Sequence, residues 1–356
     1  MIARHRAGIQ QITSPRFKKV EDVVGSLGAM QAQDFAGAKW SIGLRLPGTT
    51  EADIERAIEE RAIIRTWALR GTLHFVAARD IHWILTLIAP RLHANQVAPF
   101  RKVSLTDSAL HKSQDIMRRV LQGGNTITRK ALLQEIQDGG VSVEDIRANF
   151  ILLRAAVDGV ICSGPRQGKE YTFVLLDEWV KPPAPITREE ALANLAKCYF
   201  KGHGPATLQD YIWWSGLSRA EAQQGMGLAS KSLSSVEVDD QKYFMGRNKT
   251  ELHKDTQVHM LPGFDELLLG YTDRSASLAP VFAKRVAANK NGLFAATLVS
   301  DGEVIGLWKR TLVKDKVMIA VEPLKPFSKA QHRAITQAVK RYGSFLGMAP
   351  VLEESV

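Results

Sequence analysis

One order of elements recurs along this chain and limits its fold more than any single motif. Three times, stretches with the apolar spacing of amphipathic helices lead into two short runs rich in β-branched and aromatic residues. A lone hairpin cannot bury its own face, so each must close on the helices before it, in the order of a winged helix. In the first unit, helices are expected at 20–29 and 38–45. A third begins at Thr50, with Asp53 placed for a capping box and Ile54, Ile58 and Ala62 on one face. Runs 63–67 and 72–77 then flank a turn at Arg70-Gly71.

The second unit has helices at 107–121, 128–137 and 143–158, the last with Ile146, Phe150, Leu153 and Val157 at helical spacing. Strands 160–162 and 171–175 enclose a basic tip, Gly-Pro-Arg-Gln-Gly-Lys, at 164–169. After a Pro-rich linker at 181–185, capping-box spacings at Thr187/Glu190 and Ser218/Glu221 open two of three further helices, 188–200, 207–214 and 219–228. The hairpin 232–245 turns at Asp239-Asp240, and an acidic tip of this kind is expected to be structural or to point away from any phosphate. Beyond it, 293–300, 303–312 and 317–322 alternate as a β-meander. A closing helix, 328–346, carries Ile335, Val339, Tyr342 and Leu346 on one stripe. The expectation is an α+β chain with three tandem winged-helix units at 1–105, 106–185 and 186–246, and a β-rich part with its closing helix at 247–356.

With 45% apolar and 24% charged residues, the 356-residue chain has enough apolar surface for real cores and little room for a long disordered segment. Cys162 and Cys198 stand alone, so neither a disulfide framework nor a thiolate metal site is expected. The nine histidines form no H-x-x-x-H and no cluster with carboxylates, and no metal is expected. Phosphate-binding, dinucleotide and esterase motifs are missing from their required contexts, so no cofactor is expected either. No apolar run has the length of a membrane span, and Arg4, His5 and Arg6 precede no apolar leader core; a cytoplasmic, non-membrane protein is expected, and a monomer.

The net charge of +10 favours a polyanionic partner. Residues 1–105 hold 15 Lys and Arg against 9 Asp and Glu, and residues 247–356 hold 16 against 11, whereas 106–186 balance at 10 and 10. Both ends would carry this excess if they faced one phosphate backbone.

Several strings, in order and at their spacing, resemble the AlkZ-like winged-helix family of DNA glycosylases over nearly the whole chain. They are Met30-Gln31-Ala32-Gln33, then Arg65-Thr66-Trp67-Ala68-Leu69-Arg70-Gly71-Thr72-Leu73-His74. They continue with Gly202-His203-Gly204-Pro205-Ala206-Thr207, Trp213-Trp214-Ser215-Gly216-Leu217, Leu261-Pro262-Gly263-Phe264-Asp265-Glu266 and Leu269-Gly270-Tyr271. The resemblance implies three winged-helix motifs held in a C shape around duplex DNA, and a monofunctional glycosylase that excises cationic alkylated purines, some members unhooking crosslinks. It also implies that Gln31 and Gln33 are catalytic. One family branch carries aspartate in place of the second glutamine, and this chain, with Gln33, does not.

Residues i and i+2 diverge on a helix and converge on an extended segment, so Gln31 and Gln33 can share one site only if the chain has left the helix by Gln31. Taken alone they read as surface polar residues at a helix end, and Asp34 is the alternative base, although aspartate there is more often a turn residue. For DNA contacts the candidates are Arg65, Arg70 and His74 in the first hairpin, and Arg166 and Lys169 at the second tip. Trp67, Trp213, Trp214 and Phe264 are expected in the core, and His203 in a loop. The rival functions are a winged-helix binding protein without catalysis and a protein-interaction scaffold.

Overall fold

The computed structural model describes residues 1–247, 255–287 and 294–353. The first unit contains α1 (Ile2–Ile9), α2 (Val20–Leu27), a two-residue β1 (Met30–Gln31), α3 (Phe35–Arg45), α4 (Glu51–Glu59) and the hairpin β2 (Ile63–Ala68) and β3 (Thr72–Ala77). Thr50 and Asp53 form the expected capping box. Leu69 and Gly71 both adopt positive φ in the hairpin turn, and the Gly71 amide donates to the Ala68 carbonyl at 2.9 Å.

A long helix, α5 (Ile81–Lys102), follows where the sequence reading assigned nothing. It leads into α6 (Asp107–Leu121), β4 (Ile127–Thr128), α7 (Arg129–Asp138), α8 (Arg147–Val157), β5 (Ile161–Ser163), β6 (Thr172–Leu175) and the short α9 (Leu176–Trp179). The hairpins of the first and second units belong to one six-stranded sheet, ordered β1-β3-β2-β5-β6-β4, and meet at the antiparallel pair Arg65–Ser163. The basic tip of the second hairpin therefore comes close to the first unit.

The third unit comprises α10 (Arg188–His203), α11 (Leu208–Ser215), α12 (Arg219–Ala229) and a separate hairpin, β7 (Leu233–Val238) and β8 (Gln241–Gly246). Asp239 and Asp240 both take positive φ at its tip, a turn geometry that short polar side chains tolerate. The C-terminal part holds β9 (Val258–Leu261), α13 (Glu266–Leu269), α14 (Ala283–Val286), β10 (Thr297–Ser300), β11 (Glu303–Val313), β12 (Lys316–Pro323), α15 (Lys329–Leu346) and β13 (Ala349–Leu352). Its five strands run β13-β12-β11-β10-β9, with β13 parallel to β12 and the other pairs antiparallel. Residue 293, where the meander was expected to begin, lies outside the described residues.

One core joins the two ends of the chain: Val24, Leu27, Trp40 and Ile54 pack with Met260, Leu298, Ile319, Ile335 and Phe345. The indoles of Trp40 and Trp308 both donate to carbonyls of β9, at Met260 (2.6 Å) and Leu261 (2.8 Å), which pins α3 and β11 to the same strand. A second core lies among α5, α10, α11 and α12, and a third inside the second unit.

Candidate active site

Gly28 ends α2 with φ +77, a conformation that costs a side-chain-bearing residue and turns the chain out of the helix. Met30 and Gln31 then add to the edge of β3, opposite Phe75 and His74, and the Ala32 amide donates to the Leu73 carbonyl at 2.7 Å. Asp34 caps the next helix by accepting from the Gly37 amide at 3.1 Å, so its side chain already has a structural partner. Between the two helices the chain is extended at Gln31 and bends at Gln33, and the two amides converge: Gln31 Nε2 donates to Gln33 Oε1 at 2.5 Å. Gln31 is 8% exposed and Gln33 is open to solvent, so one amide is rooted in the fold and the other lies at the opening.

Behind Gln31 stands Glu266, fully buried at the start of α13. Its Oε1 accepts the Gln31 backbone amide at 3.1 Å. Its Oε2 accepts the Trp214 indole at 3.1 Å and His203 Nε2 at 3.3 Å. Burial works against the charge, but the His203 hydrogen bond and charge, followed by the Gln31 amide, hold the carboxyl below its ordinary pKa. One carboxylate thus ties α10 and α11 to the first-unit strand that carries Gln31. His203 is the last residue of α10 and fully buried against this carboxylate, rather than in a loop.

Arg70, at the turn of the first hairpin, donates to Gln31 Oε1 at 3.5 Å and to the Trp214 carbonyl. The donor–acceptor chain runs from Arg70 through Gln31 to Gln33. It leaves the second lone pair of the Gln33 carbonyl oxygen available at the open end.

Two residues expected to face DNA are inside the protein. His74 is fully buried, its side chain leaving the sheet on the face where Arg70 and Glu266 are the charges that act on it. Its Nδ1 donates to the Thr72 carbonyl at 2.7 Å, and burial lowers its pKa to about 4, so the ring is neutral at pH 7. Arg65 is also buried, donates to the Ala32 carbonyl at 3.0 Å and sits 5.2 Å from the Phe35 ring and 4.7 Å from that of Tyr171. Burial lowers its pKa to about 10, which still leaves it charged. Its guanidinium therefore holds the peptide between the two glutamines.

Arg166 is half-buried and reaches the same two rings, at 5.5 and 5.2 Å, while donating to the Lys169 carbonyl. The second tip thereby reaches Phe35, and Lys169 is exposed there. Trp67 stacks on Phe173 with ring centroids 6.4 Å apart, the packed position expected of it. Trp214 is buried and Phe264 half-buried, but Trp213 is 41% exposed.

Among the described residues, no group of three or more His, Cys, Asp and Glu is placed to hold a metal ion. No helix among them is long and apolar enough to cross a membrane.

Residues 24–345 match the family model described as DNA glycosylase AlkZ-like. The chain belongs to the AlkZ-like DNA glycosylase family. The interstrand DNA cross-link repair glycosylase of Streptomyces sahachiroi is 28% identical over 319 residues, which cover 84% of this chain and 85% of that one. The solved structure of Streptomyces sahachiroi DNA glycosylase AlkZ superposes with a TM-score of 0.82 at 24% identity, covering 99% of this chain and 98% of that chain. The AlkZ-like fold thus extends along the whole α+β chain.

Glu266 escaped the sequence reading as a site residue, although it ends one of the strings that carry the resemblance. Its only other signal is chemical: a carboxylate beside Asp265 in an otherwise apolar stretch, where charge must be paired if buried.

Proposed function

We propose that this AlkZ-like chain is a monofunctional DNA glycosylase that hydrolyses the N-glycosidic bond of purines made cationic by alkylation at N7 or N3. In this reading Gln31 and Gln33 are the catalytic residues. Membership of the family makes it an enzyme acting on N-glycosyl bonds in DNA; the choice of lesion and residues is what the resemblance implies, and the chemistry is consistent with it. A cationic purine departs as a neutral base and needs little from a general acid, whereas the sugar left behind develops oxocarbenium character. The Gln33 carbonyl can accept a hydrogen bond from the attacking water, aim the water's lone pair at the sugar carbon and lay partial negative charge beside it, the water's proton passing to solvent once the C–O bond has formed. The observation that carries the reading is the convergence of the two amides, backed by the buried Glu266 carboxylate.

The three winged-helix units at 1–105, 106–185 and 186–246 and the β-rich part at 247–356 would form a C around duplex DNA, with Arg70, Arg166 and Lys169 as its contacts. The relative from Streptomyces sahachiroi is named for crosslink repair, and unhooking of crosslinks by this chain is part of the same proposal.

The test is release of free base and formation of alkali-labile sites from a duplex containing 7-methylguanine. The wild type is expected to release base, and Gln33→Ala to bind the duplex with near-wild-type affinity while releasing base at least ~100-fold more slowly. Salt-dependent binding by the wild type with no base released would instead assign the fold to a binding protein without catalysis.

A further inference from the structure

Trp213 and Trp214 are adjacent on α11 and have opposite fates. Trp214 is fully buried and donates to Glu266, whereas Trp213 is 41% exposed. Its exposed ring is nevertheless fixed in orientation: Nε1 donates to the Leu269 carbonyl at 3.3 Å, and the Arg70 guanidinium lies 5.7 Å from the ring centroid. An aromatic surface held open and rigid has already met the entropic cost of ordering before a ligand arrives.

The ring lines a cavity of about 330 Å³. Its walls include Leu69, Leu92 and Ile212, and its polar lining includes Arg70 and Arg91 but no carboxylate. Arg91 is exposed and forms no ion pair among the described residues. Apolar walls, one flat π surface and two cations select a ligand with a flat face and a negative charge, and the volume is at the small end for ligand sites. Gly216, in the left-handed conformation that ends α11, lies against the Leu69-Arg70 turn, where an added Cβ would be in ordinary contact with Arg70 Cγ at 3.4 Å. Arg70 borders the cavity and also donates to Gln31, so an occupant would lie next to the paired amides.

We propose that this cavity is a stacking site for one unstacked nucleobase of the bound duplex, with Trp213 as the platform and Arg91 as a contact to its phosphate. The inference rests on the glycosylase reading in taking duplex DNA as the ligand. The occupant is either the base at the lesion position or the base opposite it, since both offer a π face and a phosphate.

Two duplexes that the enzyme cannot process distinguish these sources. One carries 2-aminopurine as a mispaired base, and the other carries 2-aminopurine opposite a tetrahydrofuran abasic analogue. In the arm whose base enters the cavity, wild-type protein is expected to quench 2-aminopurine on binding. Trp213→Ala should remove the quenching and weaken affinity roughly 5- to 150-fold, the range of base–aromatic stacking. Trp213→Phe should restore most of it, and affinity for fully paired duplex should stay within about two-fold of wild type in both variants. Arg91→Ala, at an exposed position that folding does not need, should weaken the same arm several-fold.

Wild-type affinity of Trp213→Ala or Arg91→Ala for both probes would overturn the proposal. So would an equal loss on every duplex, which would make Trp213 a general surface contact. Failure of the wild type to release 7-methylguanine would sink the glycosylase reading while leaving this equilibrium readout intact.

Discussion

His74 shows how a single residue can look functional in sequence and be structural in space. A histidine beside Arg70 in a basic hairpin reads as a DNA contact, but its side chain points into the protein, where it is held neutral. The energetic consequence is specific. Its folded pKa of about 4 lies below the 6.5 of an unperturbed histidine. The unfolded chain therefore takes up the proton first as pH falls, and stability declines with acidification between those two values. Fully expressed, the separation is worth about 3 kcal/mol, an upper figure for one site. The urea midpoint of the wild type is expected to fall between pH 6.5 and 4, and His74→Leu should lose that part of the slope. An equally steep decline in the variant would assign the slope to other groups.

At the scale of elements, what was legible is what is encoded locally. The capping boxes at Thr50, Thr187 and Ser218 start helices where they were expected, and α6 spans the residues its spacing predicts. The extended backbone at Gln31 was legible only as a condition: the two glutamines could share a site only if the helix had ended before them. Long-range features were not. Strand β1 is only two residues long and exists because β3 offers it an edge, and the shared sheet depends on a pairing of Arg65 with Ser163 that no local pattern announces. Helix α5 contains Pro90 and Pro99, which ordinarily mark helix ends. The partnership of Glu266 with Gln31 spans 235 residues.

A related long-range tie gives an element-scale prediction. Arg45 at the end of α3 makes a bidentate pair with Asp265, both contacts at 2.8 Å and both residues buried; Ser41 Oγ donates to the same carboxylate at 2.6 Å. Arg45→Met leaves the aspartate charge buried without its partner and should cost about 3–5 kcal/mol. That is readable as a lower urea midpoint at unchanged denaturant sensitivity. A loss below ~1 kcal/mol would show that α3 is held by its apolar face alone.

Across the whole molecule, the site is made from parts far apart in the chain. The first unit and the C-terminal sheet share one core, the second hairpin reaches Phe35 through Arg166, and the third unit supplies Trp214 and His203 to the Glu266 carboxylate. The assembly ends in a hydrogen bond between two side-chain amides, so the proposed catalysis requires those amides to act as one unit. The most direct measurement is a double-mutant cycle on the single-turnover rate of 7-methylguanine release, using Gln31→Ala, Gln33→Ala and both together. If the pair acts as a unit, each single change slows release by about 10²-fold or more, and the double change adds little beyond the worse single one. Full multiplication of the two effects, or release at the wild-type rate by both single variants, would contradict the account.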